Sequence, residues 1–177
     1  MNHRMPRSGQ LAAVITLALG LIACVPPGPP ASATRPERPN YDLVAAIRAA
    51  GDREQSIINV NALRDPGVTA LQDAAQADER AGRYAEAAAK LDQALRLSPD
   101  SPDLLQERAE VAVRLHDFTR AEKLAHQSWS LGPQLGPLCA RNWQTVVEMR
   151  LQADDSAGAS SARKWVQQCH KAGIPRY

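Results

Sequence analysis

The side chains with the widest chemical reach in this 177-residue chain are three thiols, Cys24, Cys139 and Cys169, and, beyond residue 23, three imidazoles, His116, His126 and His170. A thiol can be acylated, oxidised to a disulfide or bind a metal; an imidazole can move a proton. Spacing decides which of these is open. Catalysis needs a base beside a nucleophile, a carboxylate pair or a metal shell, and each histidine stands alone in the sequence. His116 falls at a turn between helical patterns, and His126 among small residues on a helix. His170 falls in a last helical turn, where its cationic form suits the helix dipole. No HExxH, GxSxG, P-loop or GxGxxG pattern occurs. Asp154-Asp155 reads as a pair of solvated caps, and two cysteines with no histidine cluster beside them fall short of a tetrahedral zinc site. The sequence therefore predicts no catalytic residue, no metal and no cofactor: a protein that is not an enzyme.

Cys24 is the most informative of the three thiols. Arg4 and Arg7 precede an apolar run, Leu11 to Ala23, and residues 1–23 carry no acid. A basic stretch, a short apolar stretch and a small residue before the cut form the layout of a secretory signal. The run falls short of the roughly 20 residues needed to cross a bilayer. Leu21-Ile22-Ala23-Cys24 resembles the lipobox of bacterial lipoproteins. That resemblance implies cleavage before Cys24, diacylglycerol on its thiol and three acyl chains holding the mature protein firmly on a membrane. Val25, rather than an aspartate, follows the cysteine, which in enterobacterial lipoproteins implies the outer membrane, facing the periplasm. The competing readings are an uncleaved anchor and a plain cleavable signal with an incidental cysteine. Charge accords with an envelope protein. The whole chain has 21 basic and 19 acidic residues, and loss of Arg4 and Arg7 with the signal leaves it formally neutral. Neither nucleic-acid binding nor a polybasic membrane patch is supported.

Residues 24–40 hold six prolines after the cysteine and almost nothing to bury, a tether that spans about 3 Å per residue when extended. Tyr41 to Ala50 has Leu43, Val44 and Ile47 at helical spacing, with Gly51 expected to end the helix. Ser56 to Asn61 is open between strand and helix. Asp65-Pro66-Gly67 reads as a helix start, with Asp65 as N-cap and Pro66 at the first helical position. Residues 41–66 thus form an N-terminal helical or capping segment ahead of a helical domain, 67–177. Abundant alanine and 4% aromatic residues suit close-packed helices.

The helical domain repeats. Ala81-Gly82-Arg83-Tyr84-Ala85-Glu86-Ala87 aligns with Leu115-His116-Asp117-Phe118-Thr119-Arg120-Ala121 at an offset of 34 residues, which also pairs Ala75 with Ala109 and Pro99 with Pro133. This resembles the tetratricopeptide repeat, a helix-turn-helix unit of that length. Repeat one, about 68–101, carries Leu71, Ala75, Gly82, Tyr84, Ala87, Leu91, Ala94 and Pro99. Repeat two, about 102–135, carries Leu105, Ala109, Phe118, Ala121 and Pro133, with His116 at the turn glycine and Ser128 at a small position. A degenerate third unit, 136–172, has helices over Pro137–Leu151 and Ser156–Lys171, with Trp143 and Trp165 expected to make its packing less regular. The fold class is all-α: tetratricopeptide-like antiparallel hairpins stacked in a short right-handed solenoid. Cys139 and Cys169 are equidistant from Asp154, so an antiparallel hairpin sets them side by side. In an oxidising compartment a disulfide is the natural reading, against two buried free thiols.

The resemblance implies a concave surface lined by the first helix of each unit, which in this family receives a peptide or partner helix. Its groove-facing positions are Gln72, Gln76 and Arg80, then Gln106, Glu110 and Arg114, then Arg141, Gln144 and Glu148. Their amides can donate to and accept from an extended backbone. The Lys/Asn clamp that some members use for a terminal carboxylate is absent. The expected function is a non-enzymatic interaction module of the cell envelope, an adaptor or assembly factor whose partner is an envelope protein or peptide. The alternatives are a self-associating structural lipoprotein, hence a homo-oligomer, and an accessory activator of a cell-wall enzyme.

Overall fold

The computed structural model describes residues 41–54 and 65–170; the signal, lipobox and tether positions and Ser56–Asn61 lie outside them. The described residues form seven helices and no strand. They are α1 (Leu43–Asp52), α2 (Pro66–Arg80), α3 (Tyr84–Leu97), α4 (Pro102–Arg114), α5 (Phe118–Leu131), α6 (Pro137–Gln152) and α7 (Ser156–Gln168). No helix among them is long and apolar enough to cross a membrane.

The three first helices, α2, α4 and α6, each begin on a proline. Its fixed φ suits the first turn and its missing N–H costs nothing there. Asp65 caps α2 by accepting from the Gly67 N–H at 2.7 Å, and Asp155 caps α7 by accepting from Gly158 at 2.7 Å. Each hairpin then turns through one left-handed residue: Gly82 (φ 75°), His116 (φ 60°) and Asp154 (φ 57°). The unit-two turn therefore keeps the backbone of the unit-one glycine although a histidine stands there. Arg83 and Asp117 next donate their N–H groups to Asp78 and Ala112 carbonyls at 2.8 and 2.9 Å, closing the two turns alike.

Helices pack as α2/α3, α4/α5 and α6/α7 hairpins, and consecutive hairpins stack through α3/α4 and α5/α6. Small residues stand where helices approach. Ala87, Ala94, Ala109, Ala121, Ala125 and Ser128 are fully buried, and the Ser128 hydroxyl donates to the Pro102 carbonyl at 2.6 Å.

The third unit is spaced more widely than the second: α6 has 16 residues against 13 in α4, and the loop before it is one residue longer. Phe118 opens the second helix of unit two and Ser156 that of unit three, a spacing of 38 rather than 34 residues. The expected irregularity at the tryptophans is not found. The Trp143 and Trp165 rings stack parallel with centroids 5.1 Å apart, and Trp129 meets them edge-on at 5.2 and 5.8 Å. Three indoles fill the space between α5, α6 and α7. Cys139 and Cys169 lie in the same core with Cα atoms 5.6 Å apart and their sulfurs bonded.

Gly51 does not end α1. The helix runs through it to Asp52, and Gly51 is buried against α6. A Cβ there would stand 2.7 Å from Arg141 Cγ and 3.0 Å from the Pro137 carbonyl oxygen. The glycine is a close-approach residue, because any side chain would hold α1 off α6. Accordingly α1 lies against α6 and α4, with Val44 and Ile47 seated among Ala112, Val113, Ala121 and Met149.

Candidate binding groove

The nine predicted groove residues come from α2, α4 and α6, and a hydrogen-bond network links most of them. Gln72 Nε2 donates to Glu107 Oε1 at 2.6 Å, and Gln76 Nε2 donates to the same oxygen at 3.4 Å. Across the next helix pair, Gln106 Nε2 donates to Glu110 Oε1 at 3.0 Å and Thr145 Oγ1 at 2.9 Å. Arg141 clamps Glu110 Oε1 with Nη2 at 2.5 Å and Nε at 2.9 Å. Gln144 donates to Glu148 at 2.8 Å. Polar side chains of the first helices of consecutive units thus meet one another along one wall.

Three of the nine do not face solvent. Gln106 and Glu110 have 0% exposure and Glu148 has 2%. Gln106 is held between Glu110 and Thr145 of α6, while Glu110 and Glu148 are met by α1 and the residues just ahead of it. Arg48 of α1 reaches Glu110 Oε2 through Nε and Glu79 Oε1 through Nη2, both at 2.7 Å. The Tyr41 hydroxyl donates to Glu148 at 2.7 Å, and Arg114 pairs with Asp42 at 2.9 Å. Burial pulls the Arg48 pKa down, but Glu110 and Glu79 beside it outweigh this and raise it above the ordinary value. For Asp42, burial pushes upward, yet the Ala45 N–H and the Arg114 guanidinium leave its carboxyl below the usual range. Arg48, Tyr41 and Asp42 are working residues that the sequence reading did not single out. Periodicity cannot show that Arg48 meets a carboxylate 62 positions away.

Beside α1 the groove stays open as a cavity of about 580 Å³. It is lined by Arg48 and Asp52 of α1, Gln76, Glu79 and Arg80 of α2, Glu107 and Arg114 of α4, and Arg141 of α6. Arg80 and Arg114 are 34 residues apart, so they recur at the repeat spacing. Arg80 is exposed with no ion-pair partner among the described residues. Arg114 is half-buried and lies 5.9 Å from the Tyr84 ring centroid. Four guanidiniums and three carboxylates share the lining, so the cavity is polar and nearly balanced in charge. It suits a polar peptide better than an apolar small molecule.

The histidines are dispersed. His116 packs edge-on to Phe118 at 5.6 Å, His126 edge-on to Trp143 at 5.3 Å, and His170 Nδ1 lies 3.0 Å from Glu54. Among the described residues no three His, Cys, Asp or Glu side chains are grouped to hold a metal ion. Asp154 supplies a left-handed turn, and Asp155 a cap that also accepts from Arg150 at 3.2 Å.

Comparison with known proteins fits this geometry. Residues 80–136 match the tetratricopeptide repeat family, a span from the end of α2 to the threshold of α6. No curated protein matches the chain. Among solved structures, the globular C-terminal domain of P. aeruginosa LpoP is similar at 31% identity and a TM-score of 0.56, over 59% of this chain and 99% of that one. With that identity across nearly the whole of the LpoP domain, the chain belongs to the same family, built on tetratricopeptide repeats.

Proposed function

We propose that this protein is a non-enzymatic interaction module of the bacterial cell envelope, an adaptor or assembly factor that takes a protein partner on its concave face. The observation that carries the reading is the polar wall of α2, α4 and α6, with an open cavity beside it and Arg80 unpaired at its rim. Gln72, Gln76, Arg80, Arg114, Arg141 and Gln144 are the contact residues, and extended backbone or acidic side chains are what amides and guanidiniums recognise. The lipobox supplies the address: Cys24 acylated, residues 25–40 as tether and the helical domain facing the periplasm from the outer membrane. In this reading the Cys139–Cys169 bond belongs to an oxidising compartment.

An accessory activator of a cell-wall enzyme is a more specific form of this reading, since it too needs a protein partner on the polar wall. Self-association has no comparable support from a particular contact. In-cell photo-crosslinking from Gln76 and Gln144 tests the proposal. The expected result is one dominant envelope protein, lost on Arg80→Glu. Capture of the chain by itself alone would favour the structural alternative, and an unchanged yield with Arg80→Glu would remove the groove from the account. The address has its own check: Cys24→Ser should abolish the acylated mass and release the protein from membranes.

A further inference from the structure

The network around Glu110 gives α1 a role beyond completing the fold. The hairpin stack is continuous without it, because α2 to α7 each pack on their neighbours in order and α1 touches mainly α6 and α4. At 10 residues, α1 is too short to be stable as a helix on its own in water. Its helicity is therefore a consequence of docking. Its buried residues are Val44, Ile47, Ala50 and Gly51, all on one face.

What it docks against is unusual for a structural helix. Burying a carboxylate is costly unless cations and hydrogen bonds compensate it. Glu110 has 0% exposure, and one of its two guanidinium partners, Arg48, comes from α1. Glu148, another carboxylate on this wall, is likewise met by α1 through the Tyr41 hydroxyl. Three of the nine expected partner-facing positions, Glu110, Glu148 and Arg114, are thus engaged by α1 or by Tyr41 and Asp42 just ahead of it. It is held as a bound helix is held, by an apolar stripe for area and a guanidinium for register.

We propose that the α4–α6 face under α1 is a helix-docking site, that α1 is its resident occupant, and that a partner helix of the same chemistry displaces it. The chemistry is legible from α1 itself. The helix carries aliphatic residues three apart, as Val44 and Ile47 are, with an arginine directly after the second. A glycine or alanine follows three residues later, where Gly51 lets the backbone close on Arg141. Glu110 and Glu79 read the arginine. This surface adjoins the open cavity and shares Arg48, Glu79 and Arg141 with it, so the two are told apart by residues each has alone: Glu110 and Gly51 at the α1 seat, Gln76 and Arg80 along α2.

A labelled peptide of residues 41–54, titrated into the full-length protein, tests this. In the wild type the resident helix competes, which weakens apparent binding by the fraction of time the site is open. Gly51→Leu keeps helix propensity but places carbon atoms where Arg141 Cγ stands, and so opens the site. The peptide should then bind the variant at least roughly tenfold more tightly than wild type. Adding Glu110→Gln should reverse that gain, and a peptide with Arg48→Glu should not bind. If folded Gly51→Leu protein takes the peptide no better than wild type, or if Glu110→Gln leaves binding unchanged, the proposal fails. Should Gly51→Leu not fold, Arg48→Ala in the protein removes the polar half of docking at a half-exposed side chain, and the same gain is required of it. Photo-crosslinks from Gln76 report on the other surface, so their loss or survival is read separately.

Discussion

Asp78 fastens the first hairpin. It sits at the end of α2 with 5% exposure, accepts from Arg83 Nε at 3.0 Å and Nη2 at 2.6 Å, and pairs with Lys90 of α3. Hydrogen bonds from Lys90 and Arg83 hold its carboxyl below the usual carboxylate range. The folded pKa is depressed, so its stabilisation is present above the unfolded-state value and is lost as pH falls through the range below about 4. Asp78→Asn should therefore lower the urea midpoint at neutral pH and flatten its further fall between about pH 4 and 3. Gly82 makes a second residue-scale test. At φ 75° an alanine is strained by about 1 kcal/mol, so Gly82→Ala should lower the unfolding free energy by that amount and the urea midpoint with it. His116→Gly should move it the other way, by less, because the ring also packs on Phe118. The sequence pattern already marks Gly82 and His116 as equivalent, since turn chemistry is local. Asp154 is placed in the third turn by the helix limits but not paired with Gly82 and His116, because four residues added in and before α6 take it out of the 34-residue register. The sequence pattern does not mark Asp78, whose partners depend on how α3 closes on α2.

Helix boundaries were largely legible at the scale of elements. Prolines at helix starts, acids at caps and the 34-residue period are short-range signals, and α2 to α7 follow them within a few residues. The seat of α1 was not legible. Its apolar spacing announces a helix, but a helix of that kind can stack ahead of the first unit or cross the concave face with equal sequence support. Three long-range pairings decide it: Arg48 with Glu110, Tyr41 with Glu148 and Asp42 with Arg114. Gly51 was misread for the same reason, because a glycine near a helix end signals termination locally and close approach only in three dimensions. The tryptophans show the converse, since residues that break the repeat pattern build a cluster of their own around α6 and α7. That cluster surrounds the Cys139–Cys169 bond, which closes a loop of 30 residues. On the chain-entropy estimate its removal costs roughly 3 to 4 kcal/mol. Cys139→Ser/Cys169→Ser should lower stability by that order in chemical denaturation. The wild type, denatured without reductant, should resist alkylation at both positions.

At the scale of the whole molecule, a short stack of hairpins presents one polar wall, and the chain divides that wall into two regions. One is covered by α1 over Glu110 and Glu148; the other is open beside Gln76, Arg80 and Arg114. The repeat spacing names positions on the first helices but not which of them α1 covers, so the expected contact positions mix accessible side chains with buried ones. A module with an occupied and an open region can meet a partner in two ways, by direct contact along α2 and by exchange for α1. The second depends on α1 being a guest on a stack that stands without it. Amide hydrogen exchange of the full-length protein, wild type against Gly51→Leu, decides that point. The expected result is fast exchange confined to α1, with α2 to α7 protected as in the wild type. Protection lost together in α1, α4 and α6 would make α1 an indispensable part of the core and contradict the account.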